Sequence, residues 1–306
     1  MQHFKGLPEK HLGDTWLTIG SFDGVHIGHQ RLIQDLVYGS HSSGMKAGVL
    51  TFDPHPAEVL RGLPDLFYLT TPEEKAEHLE KLGLDYVITV PFDHALAELT
   101  AVEFMQYLGK SISIRRLMVG KGFALGKGRT GTTEVLESIG EEMDFQLVEI
   151  EPFLWNGEIV SSSIIRSLLV EGKIPPSNAM LGRPYSVRGT IHHGDGRGHS
   201  IGFPTANISL PPKRLLPRSG VYACWVEWEG RVIPAVSNIG IRPTFETGDT
   251  IPALEVHLLD FNSDLYNKVL QVRFIDRLRD EKKFTSVQDL IHQIEADVRS
   301  AREILS

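Results

Sequence analysis

Cysteine is almost absent from this chain, since Cys224 is the only one among 306 residues. One thiol excludes an intrachain disulfide and a cysteine-rich zinc site. Long apolar runs are also missing: no stretch approaches the roughly 20 apolar residues of a membrane-spanning helix. The opening MQHFKGLPEK lacks the apolar segment of a signal peptide. These absences predict a cytoplasmic protein that does not associate with membranes.

Basic residues are also few, because 39 acidic residues outnumber 31 lysines and arginines. The formal net charge is therefore -8. This balance argues against a basic surface that wraps nucleic acid, so no nucleic-acid partner is expected. A local basic pocket for phosphate groups remains compatible with this net charge. The hydrophobic fraction of 41% is sufficient for one large core or two modest ones.

The first half alternates strand-like and helix-like segments. The apolar run at residues 16–22 predicts a strand, and Thr71 with Glu74 and Thr100 with Glu103 form capping boxes that predict helix starts. This alternation predicts an α/β Rossmann-like domain, whose parallel strands are joined by helical crossovers. Ligands of such domains bind at the carboxyl ends of the strands.

Near residue 183 the pattern changes to short β-rich runs, such as 221–228 and 269–274, separated by turns. These runs predict a mainly antiparallel β-barrel or sandwich. A final helix should cap this sheet with one apolar face. That face consists of Val287, Leu290, Ile291, Ile294 and Val298. We expect domains at residues 1–183 and 184–306.

Residues 20–29, GSFDGVHIGH, leave a strand and enter a helix. Free backbone N–H groups and the helix dipole meet there and favour phosphate binding. Gly24 and Gly28 allow a ligand close to the backbone, and His26 and His29 share one face of the first helical turn. Both imidazoles can donate to phosphate oxygens. An ordinary helix start and part of a zinc site are the alternatives for these histidines.

This stretch resembles the His-x-Gly-His motif of nucleotidylyltransferases. With its preceding Phe-Asp-Gly it resembles the adenylyltransferase half of the prokaryotic bifunctional riboflavin kinase/FAD synthetase family. The resemblance implies that His26 and His29 are catalytic and act on the α-phosphate of ATP. The resemblance extends to residues 52–56, 120–131 and 161–166, which are similar to further motifs of the family. The nucleotide-binding residues that it implies are Gly20, Phe22, Asp23, Gly28, Asp53, His55, Arg129, Ser161, Ser162, Ser163 and Arg166.

The glycine-rich segment 120–131 contains G-x-G-x-x-G, but it follows a late strand and does not abut it, so a dinucleotide fingerprint is rejected. It is not a Walker loop either, because Gly128 stands where Ser or Thr is required. It resembles the family's glycine-rich loop, which implies that Phe123 and Gly122 lie at the flavin. Gly122 departs from the family's usual Asn or Asp. In the segment 161–166, Ile164 replaces a frequent Arg, and a simple N-cap explains Ser161 or Ser162 alone.

Residues 194–207, GDGRGHSIGFPTAN, resemble the riboflavin kinase signature of the same family. The glycines Gly194, Gly196 and Gly198 can fold over nucleotide phosphates. The Thr205 hydroxyl and the Asn207 amide oxygen are hard ligands suited to Mg²⁺. A β-turn loop with incidental polar residues is the alternative. Three nearby histidines, His192, His193 and His199, do not complete a metal-ligand set.

Residues 254–261 alternate as a strand, which puts Glu255 and His257 on one face. A glutamate in such a place is usually solvated. The resemblance implies instead that Glu255 is the base that takes the proton from the riboflavin 5′-hydroxyl. It also implies flavin contacts for Asn238 and Arg279, and for Arg279 a surface charge cluster is the alternative.

The resemblance spans nearly the whole chain and implies two reactions: ATP-dependent phosphorylation of riboflavin to FMN, and adenylylation of FMN to FAD, with Mg²⁺ in both. Gly122 and Ile164 favour an alternative, a riboflavin kinase whose first half makes little FAD. A non-catalytic flavin-binding regulator is another, against which Thr205, Asn207 and Glu255 speak. A class I aminoacyl-tRNA synthetase is a third, but no Lys-Met-Ser-Lys-Ser-like loop is present and the second half would stay unexplained.

Overall fold

The computed structural model describes residues 1–62, 67–192, 198, 201–243 and 250–306. It divides into two compact units, Met1–Ser162 and Ser163–Ser306. Within the described ranges, no helix is long and apolar enough to cross a membrane.

The first unit alternates strands and helices, as its sequence pattern predicts. In chain order the elements are β1 (Gln2–Lys5), β2 (Asp14–Ile19), α1 (Ile27–Ser42), β3 (Lys46–Asp53), α2 (Pro56–Arg61), α3 (Pro72–Glu80), β4 (Tyr86–Pro91), α4 (His94–Ala97), α5 (Ala101–Gly109), β5 (Ser113–Gly120), α6 (Thr133–Met143), β6 (Gln146–Ile150), β7 (Leu154–Trp155) and β8 (Glu158–Ile159). Both predicted capping boxes are present at the starts of α3 and α5.

Six parallel strands form the sheet of this unit, in the order β1-β4-β3-β2-β5-β6. Residues of β2, β3, β4, β5 and β6 alternate between two separate cores. On β2, Leu17 and Ile19 pack with α5 and α6, whereas Trp16 packs with α1 and α3. Helices therefore cover both faces, which confirms the α/β prediction. The chain reverses direction across the sheet between β2 and β5, so the loop after β2 lies at a topological switch point.

The second unit is a closed barrel preceded by two helices. Its elements are α7 (Ser162–Val170), α8 (Ile174–Leu181), β9 (Tyr185–His192), β10 (Ala206–Ser209), β11 (Gly220–Trp228), β12 (Arg231–Pro243), β13 (Thr250–Leu258), β14 (Val269–Arg279) and α9 (Val287–Ile304). Neighbouring strands are antiparallel and close in the order β10-β13-β12-β11-β14-β9. This confirms the predicted barrel. Strand β10, which closes it, was not predicted as a strand.

Helix α9 covers part of the outside of the barrel. Its Val298 and Ala301 pack with Val221 and Val236, whereas Val287 at its start is 55% exposed. The predicted packing of this helix against the barrel therefore involves its C-terminal half. The domain boundary predicted after residue 183 lies beyond α7 and α8, which group with the barrel, and where the two activities divide stays a prediction.

Candidate active sites

The loop between β2 and α1 has a strained backbone. Phe22, Gly24 and Val25 have φ angles of 48°, 79° and 40°. The left-handed region suits glycine, but it is unfavourable for phenylalanine and more so for a β-branched valine. Such conformations cost about 1–3 kcal/mol each and persist only where neighbouring groups hold them. This loop is therefore maintained by contacts outside it.

Asp23 provides one of those contacts. Its carboxylate is buried, at 2% exposure, and accepts hydrogen bonds from the backbone N–H groups of Leu69 and Thr70 at 3.0–3.1 Å and from the Thr70 hydroxyl at 3.1 Å. Thr70 Oγ1 also accepts the Gly24 N–H at 3.1 Å. These bonds make Asp23 an anchor of the loop, and its predicted contact with nucleotide stays a prediction.

His26 and His29 lie at the start of α1, as predicted. His26 is the N-cap, and its Nδ1 accepts the His29 backbone N–H at 3.3 Å. The two imidazoles stack with their centroids 3.5 Å apart, and the Phe22 ring meets the His29 ring edge-on at 5.0 Å. Gly28 makes room for this stack, because a Cβ there would lie 3.2 Å from His26 Nδ1.

The electrostatics of His29 favour a neutral ring. Burial lowers its pKa well below the ordinary value, and the neighbouring His26 and Lys75 lower it further. Within the described part of the chain, His29 Nδ1 is buried without a hydrogen-bond partner. A neutral imidazole with an unpaired polar atom can donate or accept one hydrogen bond from a ligand.

The end of β3 brings Asp53 and His55 to the same edge of the sheet as this loop, since adjacent parallel strands end together. The Asp53 side chain is exposed. His55 is the N-cap of α2, and its Nδ1 accepts the Ala57 N–H at 3.1 Å. His55 therefore stabilises a helix start, and the nucleotide contacts predicted for both residues remain predictions.

The glycine-rich segment after β5 packs against the start of α5. A Cβ at Gly126 would lie 2.7 Å from the Ala101 backbone nitrogen, and one at Gly131 would lie 2.6 Å from the Ala101 Cβ. The two glycines are explained by this close approach, which agrees with the rejection of a dinucleotide fingerprint.

Gly122, Phe123 and Arg129 lie in the same segment. Gly122 has a φ of 74° with nothing within 4 Å of a Cβ, and its carbonyl accepts the Arg129 Nη2 at 3.1 Å. Phe123 is partly buried against the core between the sheet, α5 and α6. Arg129 is exposed, so its guanidinium retains donors for a phosphate.

Helix α7 begins at Ser162, as the hydroxyl-rich segment predicts. The Ser162 Oγ donates to the Asp23 carbonyl at 2.8 Å, a hydrogen bond within the first compact unit. Ser161 is partly buried beside it, whereas Ser163 is exposed. Ser163 and Arg166 belong to the second compact unit, and their predicted phosphate contacts stay predictions.

In the barrel, Glu255 lies directly opposite Asn207 on one neighbouring strand and Asn238 on the other. Directly opposite residues on antiparallel strands have Cβ atoms about 4.5–5.5 Å apart. Pairing continues along the same row to the remaining strands. The complete row is His192, Asn207, Glu255, Asn238, Val221 and Arg279.

This row faces outward. Leu254 and Val256, which flank Glu255, are buried, and Val221 packs against α9 on the outside. The register of the barrel thus brings together Asn207, Glu255 and Asn238, which belong to three separate motifs of the sequence. Asn238 is also approached by Glu281, whose Oε1 lies 3.5 Å from the Asn238 Nδ2.

Arg279, at the other end of the row, forms an ion pair with a buried carboxylate. Its Nε and Nη2 donate to Asp297 on α9 at 2.8 and 2.7 Å, and its Nη1 donates to the Asp280 carbonyl at 2.9 Å. Asp297 is only 5% exposed. Breaking a buried pair of this kind typically costs about 3–5 kcal/mol. Arg279 therefore attaches α9 to the barrel, and its predicted flavin contact is untested.

Thr205 lies in the turn before β10, where its side chain is exposed. A Cβ at Gly198 would lie 3.1 Å from Thr205 Oγ1 and 2.4 Å from the Phe203 carbonyl oxygen, so only glycine fits beside this turn. The His257 Nδ1 donates to the Pro204 carbonyl at 2.8 Å and holds the turn against β13. Gly194 and Gly196 lie outside the described residues.

Among the residues that the structure describes, no group of three or more His, Cys, Asp or Glu side chains could hold a metal ion. The zinc alternative for His26 and His29 therefore lacks a third ligand of these types in the described ranges. Thr205 and Asn207 offer a hydroxyl oxygen and an amide oxygen, which lie outside these four residue types.

Two family models match the chain, in the order of its units: FAD synthetase over residues 9–164 and riboflavin kinase over residues 181–305. The bifunctional riboflavin kinase/FMN adenylyltransferase of Bacillus subtilis is 35% identical over 289 residues, covering 93% of this chain and 90% of the relative. The chain belongs to the bifunctional riboflavin kinase/FMN adenylyltransferase family.

An Escherichia coli member of the family, with the same name, is 38% identical and covers 94% of this chain and 91% of its own length. Among solved structures, one from Streptococcus pneumoniae described as a macrolide-efflux protein superposes with a TM-score of 0.89 at 30% identity. The match covers 98% of both chains. This chain therefore carries an FAD synthetase domain followed by a riboflavin kinase domain, and it matches these proteins over nearly its whole length.

Three residues of these domains escaped the sequence reasoning: Lys75, His257 and Asp297. Lys75 sits among the core-facing positions of α3, beside the buried Ala76 and Leu79, and a lysine at such a position is the one signal available in the sequence. The strand alternation puts His257 on the same face as Glu255 but indicates no role for it. The pairing of Asp297 with Arg279 depends on tertiary packing alone.

Proposed function

We propose that the riboflavin kinase domain transfers the γ-phosphoryl group of ATP to riboflavin, and that the FAD synthetase domain transfers the adenylyl group of a second ATP to FMN. The observation that carries the proposal is the row of Asn207, Glu255 and Asn238 on the barrel, together with the stacked His26 and His29 at the switch point of the sheet. The row lies in the part of the chain that matches the riboflavin kinase model, and the histidine pair lies in the part that matches the FAD synthetase model.

For the kinase reaction, Glu255 is the proposed general base. Its carboxylate accepts the proton of the riboflavin 5′-hydroxyl while the hydroxyl oxygen attacks the γ-phosphorus and ADP leaves. Phosphoryl transfer needs little beyond positioning and charge neutralisation. The outward row offers a carboxylate flanked by two amides, which can orient a hydroxyl and the flavin.

Mg²⁺ fits the donors present in this domain. The Thr205 hydroxyl and the Asn207 amide are hard oxygen ligands, and Mg²⁺ in such enzymes is commonly held by few protein atoms together with phosphates and water. When bound, the ion would neutralise charge that develops on the ATP phosphates. Its proposed ligands are Thr205 and Asn207.

For the adenylyl transfer, a phosphate oxygen of FMN attacks the α-phosphorus of ATP, the bond to the β-phosphate oxygen breaks, and pyrophosphate leaves. His26 and His29 are the proposed donors to the α-phosphate, supported by backbone N–H groups at the start of α1. A neutral His29 suits this role because it donates one fixed hydrogen bond without exchanging a proton. Phe123 and the Gly122 backbone are the proposed flavin contacts.

Both family models match, which favours this bifunctional assignment over a kinase with a degenerate first half and over a non-catalytic regulator. The proposed partners are ATP, riboflavin and FMN, with no nucleic acid and no membrane. The proposed location is the cytoplasm, which the single cysteine supports.

Isotopic labelling tests the assignment. With riboflavin as the only flavin, label from the γ-phosphate of ATP should enter FMN, whereas label from the α-phosphate should enter FAD and never FMN. Flavins separated by chromatography after incubation with each labelled ATP give the result. Absence of γ-label in FMN would refute the kinase assignment, and absence of α-label in FAD would refute the adenylyl transfer.

A further inference from the structure

Lys75 is a buried cation that neither proposed reaction uses. It projects from α3, is 7% exposed, and donates from Nζ to the Ser21 carbonyl at 2.8 Å and to Thr51 Oγ1 at 3.1 Å. The Thr51 hydroxyl donates to the same Ser21 carbonyl at 3.0 Å. Lysine is almost never buried unless its charge is compensated. Both of its partners here belong to the edge of the sheet where the nucleotide is proposed to bind.

The Ser21 carbonyl is the last peptide group before the strained part of the loop. Phe22 follows it in the left-handed region with a φ of 48°, and the Phe22 ring packs edge-on against His29. A displacement of Ser21 would therefore be transmitted through Phe22 to the histidine. Lys75 joins α3 and β3 to this peptide group.

Asp23 ties the loop to the same region from its own side. It holds the backbone of Leu69 and Thr70, and Thr71 immediately after them caps α3. Asp23 thus connects the loop to the residues that precede α3, and Lys75 connects α3 to the loop. The two attachments, at Ser21 and Asp23, flank Phe22 with its unfavourable φ angle.

We propose that Lys75 is a positioning residue for FMN adenylylation: its hydrogen bonds to Ser21 and Thr51 fix the turn after β2 and thereby the position of His29. This inference rests on the proposed adenylyl transfer. Lys75 acts through Ser21 and Phe22 and does not touch the substrates. Its role differs from general stabilisation because its contacts end on the loop that presents the catalytic histidine.

The charges around Lys75 are consistent with this role. Burial lowers the pKa of Lys75, while the carboxylates of Asp23 and Asp53 act in the opposite direction and favour the ammonium form. An ammonium retains the proton donors that both hydrogen bonds require. An uncharged side chain of similar length should leave the core filled but release the Ser21 carbonyl from α3.

The test compares Lys75→Met with Lys75→Arg and with Lys81→Met in the full chain. Lys81 is the exposed C-cap of the same helix and serves as the matched control. We expect Lys75→Met to lower kcat for FAD formation by about 10- to 100-fold, the range for small displacements of catalytic groups. The KM for FMN and the rate of riboflavin phosphorylation should stay near wild type. Lys75→Arg should recover part of the lost kcat, since it keeps charge and donors.

A second readout does not depend on activity. Amide hydrogen exchange in residues 20–25 should be faster in Lys75→Met than in the wild type or in Lys81→Met. Unchanged kcat, unchanged exchange, or an equal loss of both reactions would overturn the positioning role. If the wild-type chain makes no FAD, the proposed adenylyl transfer fails, and the exchange comparison alone decides whether Lys75 holds the loop.

Discussion

Replacing Glu255 with glutamine isolates the role of its carboxylate. Glutamine has nearly the same size, and the strand pairing of Glu255 with Asn207 and Asn238 is made by the backbone, so the barrel should be retained. What is lost is the ability to accept the proton of the 5′-hydroxyl. General-base contributions are usually about 10²- to 10⁴-fold in rate, which corresponds to about 3–5 kcal/mol of barrier.

A solvated strand glutamate would behave differently. Surface substitutions are usually within about ±0.5 kcal/mol in stability, and one without a catalytic role leaves the rate near wild type. The two interpretations therefore differ by at least an order of magnitude in the expected rate. Glu229→Gln is a matched control, because Glu229 is an exposed glutamate at the turn between β11 and β12 of the same barrel.

The assay measures initial rates of FMN formation from riboflavin and of FAD formation from supplied FMN, in the wild type and both variants. We expect Glu255→Gln to lose FMN formation alone and Glu229→Gln to lose neither activity. Wild-type FMN formation by Glu255→Gln would refute its role as the base. Equal loss of both activities would indicate misfolding and would also contradict the reasoning.

Three further changes test the role of His29, the flavin contact at Gly122 and the domain boundary. His29→Ala should lower kcat for FAD formation by about 10²- to 10³-fold, as loss of one oxyanion donor does, with FMN formation intact; steady-state kinetics that show normal FAD synthesis would contradict this. Gly122→Asn should lower the KM for FMN by about 2- to 12-fold through one added hydrogen bond. A Cβ has room at this position, and asparagine tolerates positive φ. Unchanged or poorer use of FMN by this variant, with intact thermal stability, would show that other residues compensate for the missing Asn or Asp. Residues 163–306 alone should phosphorylate riboflavin. A fragment that starts at residue 184 should unfold at a lower temperature than this one, because it lacks Asn178, which forms hydrogen bonds with the backbone of Tyr185 and Phe274. Equal melting temperatures of the two fragments would place the domain boundary after residue 183.

Much of the fold was predictable because its signals are local. Capping boxes at Thr71 and Thr100 mark helix starts within four residues of sequence, and hydrophobic runs mark the strands of the parallel sheet. The histidine pair followed from the same local pattern, since a strand that leads into a helix places His26 and His29 in the first turn. Strand β10 escaped prediction because its four residues follow a glycine-rich motif and carry no long alternation.

The organisation of each site depended on contacts between distant residues. Asp23 was predicted to meet nucleotide, yet its carboxylate binds backbone groups 46 residues away, and no pattern in the sequence marks those partners. The row through Asn207, Glu255 and Asn238 requires the register of three strands, which strand signals alone do not determine. The residues Gly194 and Gly196 lie outside the described part of the chain, so their proposed contact with phosphates stays a prediction.

Both reactions are assigned to one chain. The most direct test of this assignment is a time course with the purified full-length chain, riboflavin, excess ATP and Mg²⁺, in which the flavins are separated and quantified. FMN should appear first, and FAD should then accumulate at its expense. A chain that forms FMN but no FAD from either riboflavin or supplied FMN would contradict the bifunctional assignment, and a chain that forms neither product would contradict both assigned activities.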